Sequence, residues 1–416
     1  MWTATGKRLL ACQALAVLLA GGAHGQKFHV YVGEVQADSA VIAWGTTAGE
    51  RNTIGRVSAS HGGAIVKWNG RAIAASANWA RLEGLEPDRE YPYEVILEGQ
   101  PIGRGSVRTL PAASRQLAFF VIGDYGTGGQ DQRRIAAAMA AELEKRRSSS
   151  NPVRFVLTTG DNIYANTLFG IPASGSGDED RHWGRKFFEP YRGILAAVPF
   201  YPSPGNHDGN ESESAGDLPV YLDNFFFPGG RPARYYRFSY GGLADFFSLD
   251  TTENTLGGFT APFYTREGEQ FRWLAGALKS STAPWKIAYF HHPPFTGGPH
   301  HPPSLPQLGH IVELLGQHRV RAVFTGHEHN FQFSLRNQQT RGIQWVVSGA
   351  GGQRRRQDIR RNMEAEQIAG WAPERHFLLV EIEDLTMRIT PLGDKPVLVR
   401  DKNGRMVPMP LVVDGK

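Results

Sequence analysis

The sequence predicts an α/β layered domain over residues 115–416, preceded by a small all-β sandwich over 27–110 and an apolar leader over 1–25. Three observations carry this. Residues 27–110 alternate apolar and polar positions in short runs separated by turn-rich pieces, which reads as an antiparallel sandwich. From residue 117 continuous apolar runs alternate with helical patterns, the signature of strands layered with helices. Five of those apolar runs are each followed at once by a short run of metal-type donors.

The leader has Lys7 and Arg8 at its charged start, an apolar stretch Leu9–Ala20, and a small-residue cleavage site at Ala23-His24-Gly25. It is expected to be a cleaved export signal, because the apolar stretch is short for a membrane span. The single cysteine, Cys12, lies inside it, so a mature chain would have neither disulfides nor thiolate metal sites. Secretion or export to the periplasm, with no stable membrane anchor after cleavage, is the expected location.

In the sandwich region Phe28–Val32, Ala40–Trp44 and Tyr91–Leu97 are strand candidates, and His29 and His61 are read as surface or strand-face histidines. The run Leu82–Tyr93, closing at Arg108-Thr109-Leu110-Pro111, resembles the second half of a fibronectin type III module. Further on, strands are expected at Leu117–Ile122, Val153–Leu157, Val198–Tyr201, Trp285–Phe290, Ala322–Phe324, Phe377–Ile382 and Thr386–Ile389. Helices are expected over Asp131–Arg147, Gly268–Ser280 and Gln307–His318. Ser174–Asp178 and residues 293–306 read as mobile loops, and His182 as a loop residue.

Composition excludes some classes. With 41% apolar and 20% charged residues the chain is neither disordered nor a membrane bundle. The formal charge of +5 falls to +3 without the leader, and the cluster Arg354-Arg355-Arg356 with Arg360-Arg361 lacks interleaved aromatics. It reads as a solvated loop or as a positive rim drawing in anions, and no nucleic-acid partner is expected.

The five donor runs are Gly123-Asp124-Tyr125-Gly126, Gly160-Asp161-Asn162-Ile163-Tyr164, Gly205-Asn206-His207-Asp208, His291-His292-Pro293-Pro294 and Gly326-His327-Glu328-His329. Singly each could be a turn, a helix cap or a core residue. In series at strand ends they assemble carboxylates, an amide, a phenol and imidazoles, a set that suits a pair of Fe, Mn or Zn ions. A metal pair is the natural clamp for in-line attack on phosphorus.

These runs resemble the purple acid phosphatases, within the calcineurin-like metallophosphoesterases, over roughly residues 115–395. Most of that superfamily has Asp-x-His in the first run; here Gly126 stands in the histidine's place, and the family's replacement ligand, a tyrosine three residues after the second aspartate, is Tyr164. The resemblance implies a layered αββα metallophosphoesterase sandwich. It implies that Asp124, Asp161, Tyr164 and His329 hold Fe(III), and that Asn206, His291 and His327 hold Fe(II), Zn(II) or Mn(II), with Asp161 bridging. It implies hydrolysis of small phosphomonoesters by a metal-bound hydroxide at acidic pH, with His207, His300 and His301 contacting substrate or protonating the leaving group. Asp208 and Glu328 are expected to orient imidazoles, and His292 to shape the rim. A phosphodiesterase or pyrophosphatase using the same metals is the alternative enzyme. The alternative outside enzymes is an adhesion or carbohydrate-binding protein with a silent phosphatase domain. Oligomeric state is left open.

Overall fold

A computed structural model describes residues 27–46, 63–164, 167–168, 171–172, 180–209, 218–252 and 264–415. The leader 1–25, His61 and the Ser174–Asp178 stretch lie outside the described residues. Among the described residues no helix is long and apolar enough to cross a membrane.

The N-terminal strands are β1 Phe28–Val35, β2 Ser39–Thr46, β3 Ile65–Trp68, β4 Arg71–Ala74, β5 Trp79–Glu83, β6 Glu90–Leu97 and β7 Gln100–Arg108. They form a three-stranded sheet, β1-β2-β5, and a four-stranded sheet, β4-β3-β6-β7, with every pair antiparallel. Alternation marks the half-buried strands: β3 buries Val66 and Trp68 while Ile65 and Lys67 face out. The middle strand β2 is buried at every position.

The larger domain contains two sheets. One has the order β12-β9-β8-β20-β21-β22, from β8 Gln116–Ile122, β9 Val153–Thr159, β12 Phe200–Ser203, β20 Phe377–Glu383, β21 Thr386–Leu392 and β22 Leu411–Asp414. A small pair, β10 Thr167–Leu168 and β11 Ile171–Pro172, stands apart. The other sheet has the order β13-β14-β15-β16-β18-β17-β19, from β13 Tyr236–Tyr240, β14 Ala244–Ser248, β15 Trp285–Tyr289, β16 Ala322–Thr325, β17 Phe331–Ser334, β18 Gln344–Ser348 and β19 Ile368–Ala372.

The sheets meet through aromatic rings: Phe119 of β8 edges onto Phe246 and Phe324, and Phe155 of β9 onto Phe246 and Phe238. Helix α1 (Gln130–Arg146) buries Ile135 and Met139 in the core of the first sheet. Helices α2 (Glu269–Ser280) and α3 (Leu305–Gln317) bury Leu274, Leu278, Leu308, Ile311, Val312 and Leu315 in a second core with β14–β16 and β18. The layers are therefore helix, sheet, sheet, helix, and the fold is a mixed α/β sandwich behind an all-β N-terminal region.

The two regions share one apolar core. The His29 ring stacks on Phe188 at 4.8 Å, Trp79 edges onto Phe226 at 5.7 Å, and the Tyr93 hydroxyl donates to the Ala196 carbonyl at 3.1 Å. Arg154 of β9 is buried against the seam and paired with Asp88 at 2.8 Å. Of the two readings offered for His29, the strand-face one holds: it lies on β1 and is buried, and burial, aided by Arg192 and Lys27, pushes it down to about 4.

Candidate metal centre

Each donor run begins where a strand ends. Asp124 follows β8, Asp161 follows β9, Asn206 follows β12, His291 follows β15 and His327 follows β16. Strands β8, β9 and β12 run parallel to one another, as do β15 and β16, so their carboxyl ends collect at one rim. The backbone there is tight. Asp124, Asp161 and His327 have φ of +56°, +50° and +69°, a left-handed region that costs non-glycine residues of order 1–3 kcal/mol each. Gly160 has φ +89°, and a Cβ on it would lie 2.6 Å from the His291 ring, so only glycine lets that imidazole approach. A Cβ on Gly126 would lie 1.9 Å from the Asn162 carbonyl oxygen, which leaves no room for a histidine there.

The donors gather in two clusters that share one carboxylate. In the first, the Tyr164 hydroxyl lies 3.2 Å from Asp124 Oδ1, 3.0 Å from Asp161 Oδ2 and 3.3 Å from His329 Nε2, and His329 Nε2 lies 3.3 Å from Asp124 Oδ1. In the second, Asn206 Oδ1 is 2.9 Å from both His291 Nε2 and His327 Nδ1, those two nitrogens are 3.1 Å apart, and His291 Nε2 is 3.3 Å from Asp161 Oδ1. Asp161 therefore gives one oxygen to each cluster. Backbone amides fix both carboxylates: His327 N donates to Asp124 and His207 N to Asp161 Oδ1.

The residues fit a pair of cations. His291 Nδ1 faces the Thr159 carbonyl at 2.8 Å and must donate to it, which turns Nε2 toward Asn206 Oδ1 and His327 Nδ1. Lone pairs about 3 Å apart repel unless a positive charge lies among them. Burial pulls His291 down, but Asp161 beside it outweighs this and lifts it to about 9. Burial pushes Asp161 up, yet His291, His207 and His327 hold it well below the usual carboxylate range. Burial and then Asp124 and Asp161 hold the Tyr164 phenol well above its ordinary value, so it loses its proton only to a strong cation.

Around this core the other expected residues take separate places. His207, on the short helix Asn206–Gly209, is part-exposed, with Nε2 4.0 Å from Asp161 Oδ2 and its ring 4.4 Å from that of Tyr164. His301 lies over His327 with ring centroids 3.8 Å apart, while His300 is exposed at the rim. His182 lies in the short helix Asp180–Trp183.

Among the described residues Asp208 bonds no imidazole. Its buried carboxylate accepts from Gly205 N at 2.8 Å and from Asn162 Nδ2 at 2.8 Å, tying two donor runs together. Burial, then Asp161, raises it to about 7. Glu328 accepts from the His301 amide at 3.2 Å. Two residues that the sequence placed only at the rim come closer to the donors than that. His292 bonds Thr251 at 2.9 Å and lies 4.5 Å from the His327 ring, adding a third imidazole to His291 and His327. Arg355 donates its amide to the His329 carbonyl at 2.8 Å. Its sequence signals were the basic cluster Arg354-Arg355-Arg356 and its place just after a strand, β18, and a glycine run, the pattern of the donor runs themselves.

Fold and site together define a binuclear, metal-dependent phosphoesterase. The chain belongs to the calcineurin-like phosphoesterase family, which matches residues 117–331, just over half of its length. It is 27% identical to purple acid phosphatase 17 of Arabidopsis thaliana over 58% of this chain and 70% of that one. It is 26% identical to tartrate-resistant acid phosphatase type 5 of Sus scrofa over 62% of this chain and 75% of that one. An uncharacterised protein of Mycobacterium tuberculosis is 24% identical, and the chain spans 61% of its length. The structure of PhoD superposes with a TM-score of 0.64 at 18% identity, covering 94% of each chain, which is a likeness of fold.

Proposed function

We propose that this protein is an acid phosphatase of the purple type, hydrolysing small phosphomonoesters, exported by its leader to the periplasm or the medium. The observation that carries the reading is the division of Asp161 between a phenol-containing cluster and a neutral amide–imidazole cluster. Asp124, Asp161, Tyr164 and His329 would hold Fe(III), and Asp161, Asn206, His291 and His327 would hold Fe(II), Zn(II) or Mn(II). Hard anionic oxygens suit the trivalent ion and softer neutral donors the divalent one. When bound, the pair supplies Lewis acidity and an activated water.

The chain's own side chains do the rest. His291 keeps its tautomer through Thr159, which holds Nε2 turned toward the pair. Asp208 fixes the spacing of the Asp161 and Asn206 runs by bonding both. His207, part-exposed and within reach of Asp161, stands where it can hold a proton for the departing alkoxide. His301, packed over His327, closes the other side of the substrate position, with burial and then Arg355 pushing it down to about 4. His300, at the exposed rim, would meet the part of the ester that points to solvent. Residues 27–110 form the sandwich domain in this reading and 115–416 the catalytic one. Among the described residues, none of the sandwich enters either donor cluster.

The test is metal analysis and a visible spectrum on purified, oxidised protein, with hydrolysis of an aryl phosphate followed from pH 4 to 8. About two metals per chain, a purple or pink band and an acidic optimum are expected. A colourless protein filled by zinc alone would sink the Fe(III) assignment, and absence of hydrolysis would sink the phosphatase.

A further inference from the structure

The loop after β18 is tied to the centre at several points. Gly352 N and Gln353 N donate to the Asp124 carbonyl at 3.0 and 2.9 Å, and Arg355 N to that of His329. Further along, the Asn362 side chain donates to the Gly297 carbonyl at 3.2 Å, fastening the same loop to the segment that carries His300 and His301. The arginine-rich stretch is therefore a wall of the site rather than a free surface loop.

Its charges differ in company. Arg360 is paired with Asp358, Nε to Oδ2 at 2.7 Å, and Arg354 feels Arg356 and Arg375 more than the acids Asp131 and Asp394. Arg355 Nη1 is buried without a hydrogen-bond partner; among the described residues Arg355 forms no salt bridge, and the one carboxylate on which its charge is seen to act is that of Glu328. After burial, its charge is the next cause depressing both exposed His300 and His301. Its backbone is bonded to His329, and its side chain ends in a buried, unbonded Nη1. A buried donor on an unpaired cation is costly unless an anion completes it, and a planar guanidinium fork suits phosphate oxygens.

We propose that Arg355 is a specificity-determining residue that binds a second phosphate of the substrate, beside the one being cleaved. The inference rests on the phosphatase reading. The scissile group is already bracketed by the two donor clusters, His207 and His301, whereas Arg355 belongs to neither cluster and is held beside them by its bond to His329. The site is thereby suited to esters carrying a diphosphate, such as nucleoside diphosphates, over those with one phosphate.

The experiment compares metal-loaded wild type, Arg355→Gln, Arg355→Lys and the exposed loop control Arg361→Gln. Kinetics with adenosine diphosphate and an aryl phosphate are paired with calorimetric binding of methylenediphosphonate and methylphosphonate. Arg355→Gln should lower kcat/KM for the diphosphate by about 10–100-fold, chiefly through KM, and weaken methylenediphosphonate by a similar factor. The loss for the aryl phosphate and for methylphosphonate should be several-fold smaller, Arg355→Lys should recover part of it, and Arg361→Gln should match wild type. Equal losses on both probes, no loss on either, or a fall in metal content overturns the proposal. If wild type hydrolyses neither ester, the phosphatase reading fails by itself. The diphosphonate titration then still decides Arg355, against it if affinity is unchanged.

Discussion

The two donor clusters are built from the same kind of strand-end loop, yet they differ in charge. The first brings Asp124, the Tyr164 phenol and half of Asp161 around His329; the second brings only the other half of Asp161 to Asn206, His291 and His327. With the phenol ionised, the first cluster is an anionic cage and the second is almost neutral. In a buried site that contrast sorts ions by charge as well as by softness. Identical scaffolding can therefore hold unlike metals, and the shared carboxylate makes each depend on the other.

The severest way to break this picture is through the shared residue. Asp161→Asn should strip both ions, bringing metal content below one per chain and aryl phosphate hydrolysis to background. Full retention of either metal would show that the clusters are independent. Tyr164→Phe should act on one side only, bleaching the visible band and loosening the first ion while the second stays, as read by metal analysis. A band that survives would give the colour to some other ligand.

His207→Ala should leave both clusters loaded and lower turnover by about 10²–10⁴-fold, less for esters with good leaving groups. A metal loss matching that of Asn206→Ala would make His207 a structural residue instead.

The smallest effect is expected at the seam with the sandwich. Asp88 is raised by burial, but its bonds to Arg108 and Arg154 outweigh this and hold it below its ordinary value. Its contribution to stability is therefore present above its unfolded pKa, near pH 4, and lost as pH falls through the lower folded value. Asp88→Asn should cost about 1 kcal/mol or less at pH 7, since Asp88 is 46% exposed and screened, and the difference should be smaller at pH 3. Urea melts at both pH values check this. Altered metal content in the variant would mean that the seam and the clusters communicate.

Ten of the 22 described strands and all three long helices were legible because apolar runs and helical periodicity name them directly: Leu117–Ile122 lies within β8, and Gln307–His318 covers most of α3. The donor runs were legible for a related reason, since a glycine and a polar group just after an apolar run mark a strand end. The hairpin of β13 and β14 was not, because Phe238 and Phe246 pack between sheets in a pattern that gives no clean alternation. The relative places of His300 and His301 depend on how one loop folds over His327, and adjacent residues on a loop carry no periodicity to tell inside from outside. His292 and Arg355 reach the centre through neighbours far apart in the chain, Thr251 and His329. Local sequence holds no trace of such pairings.

Gly126 carries a consequence for how this site could change by mutation. Its backbone lies so close to Asn162 that a single substitution to histidine cannot place an imaidazole on the first metal without opening the gap between the two loops. That gap is held by the bond from Tyr164 N to the Gly126 carbonyl at 2.9 Å, in the very run that supplies the phenol. The phenol and the missing side chain are thus mechanically locked to each other. Return to an imidazole ligand lies several coordinated steps away, each passing through a chain with a broken metal cage, so the route works as a ratchet.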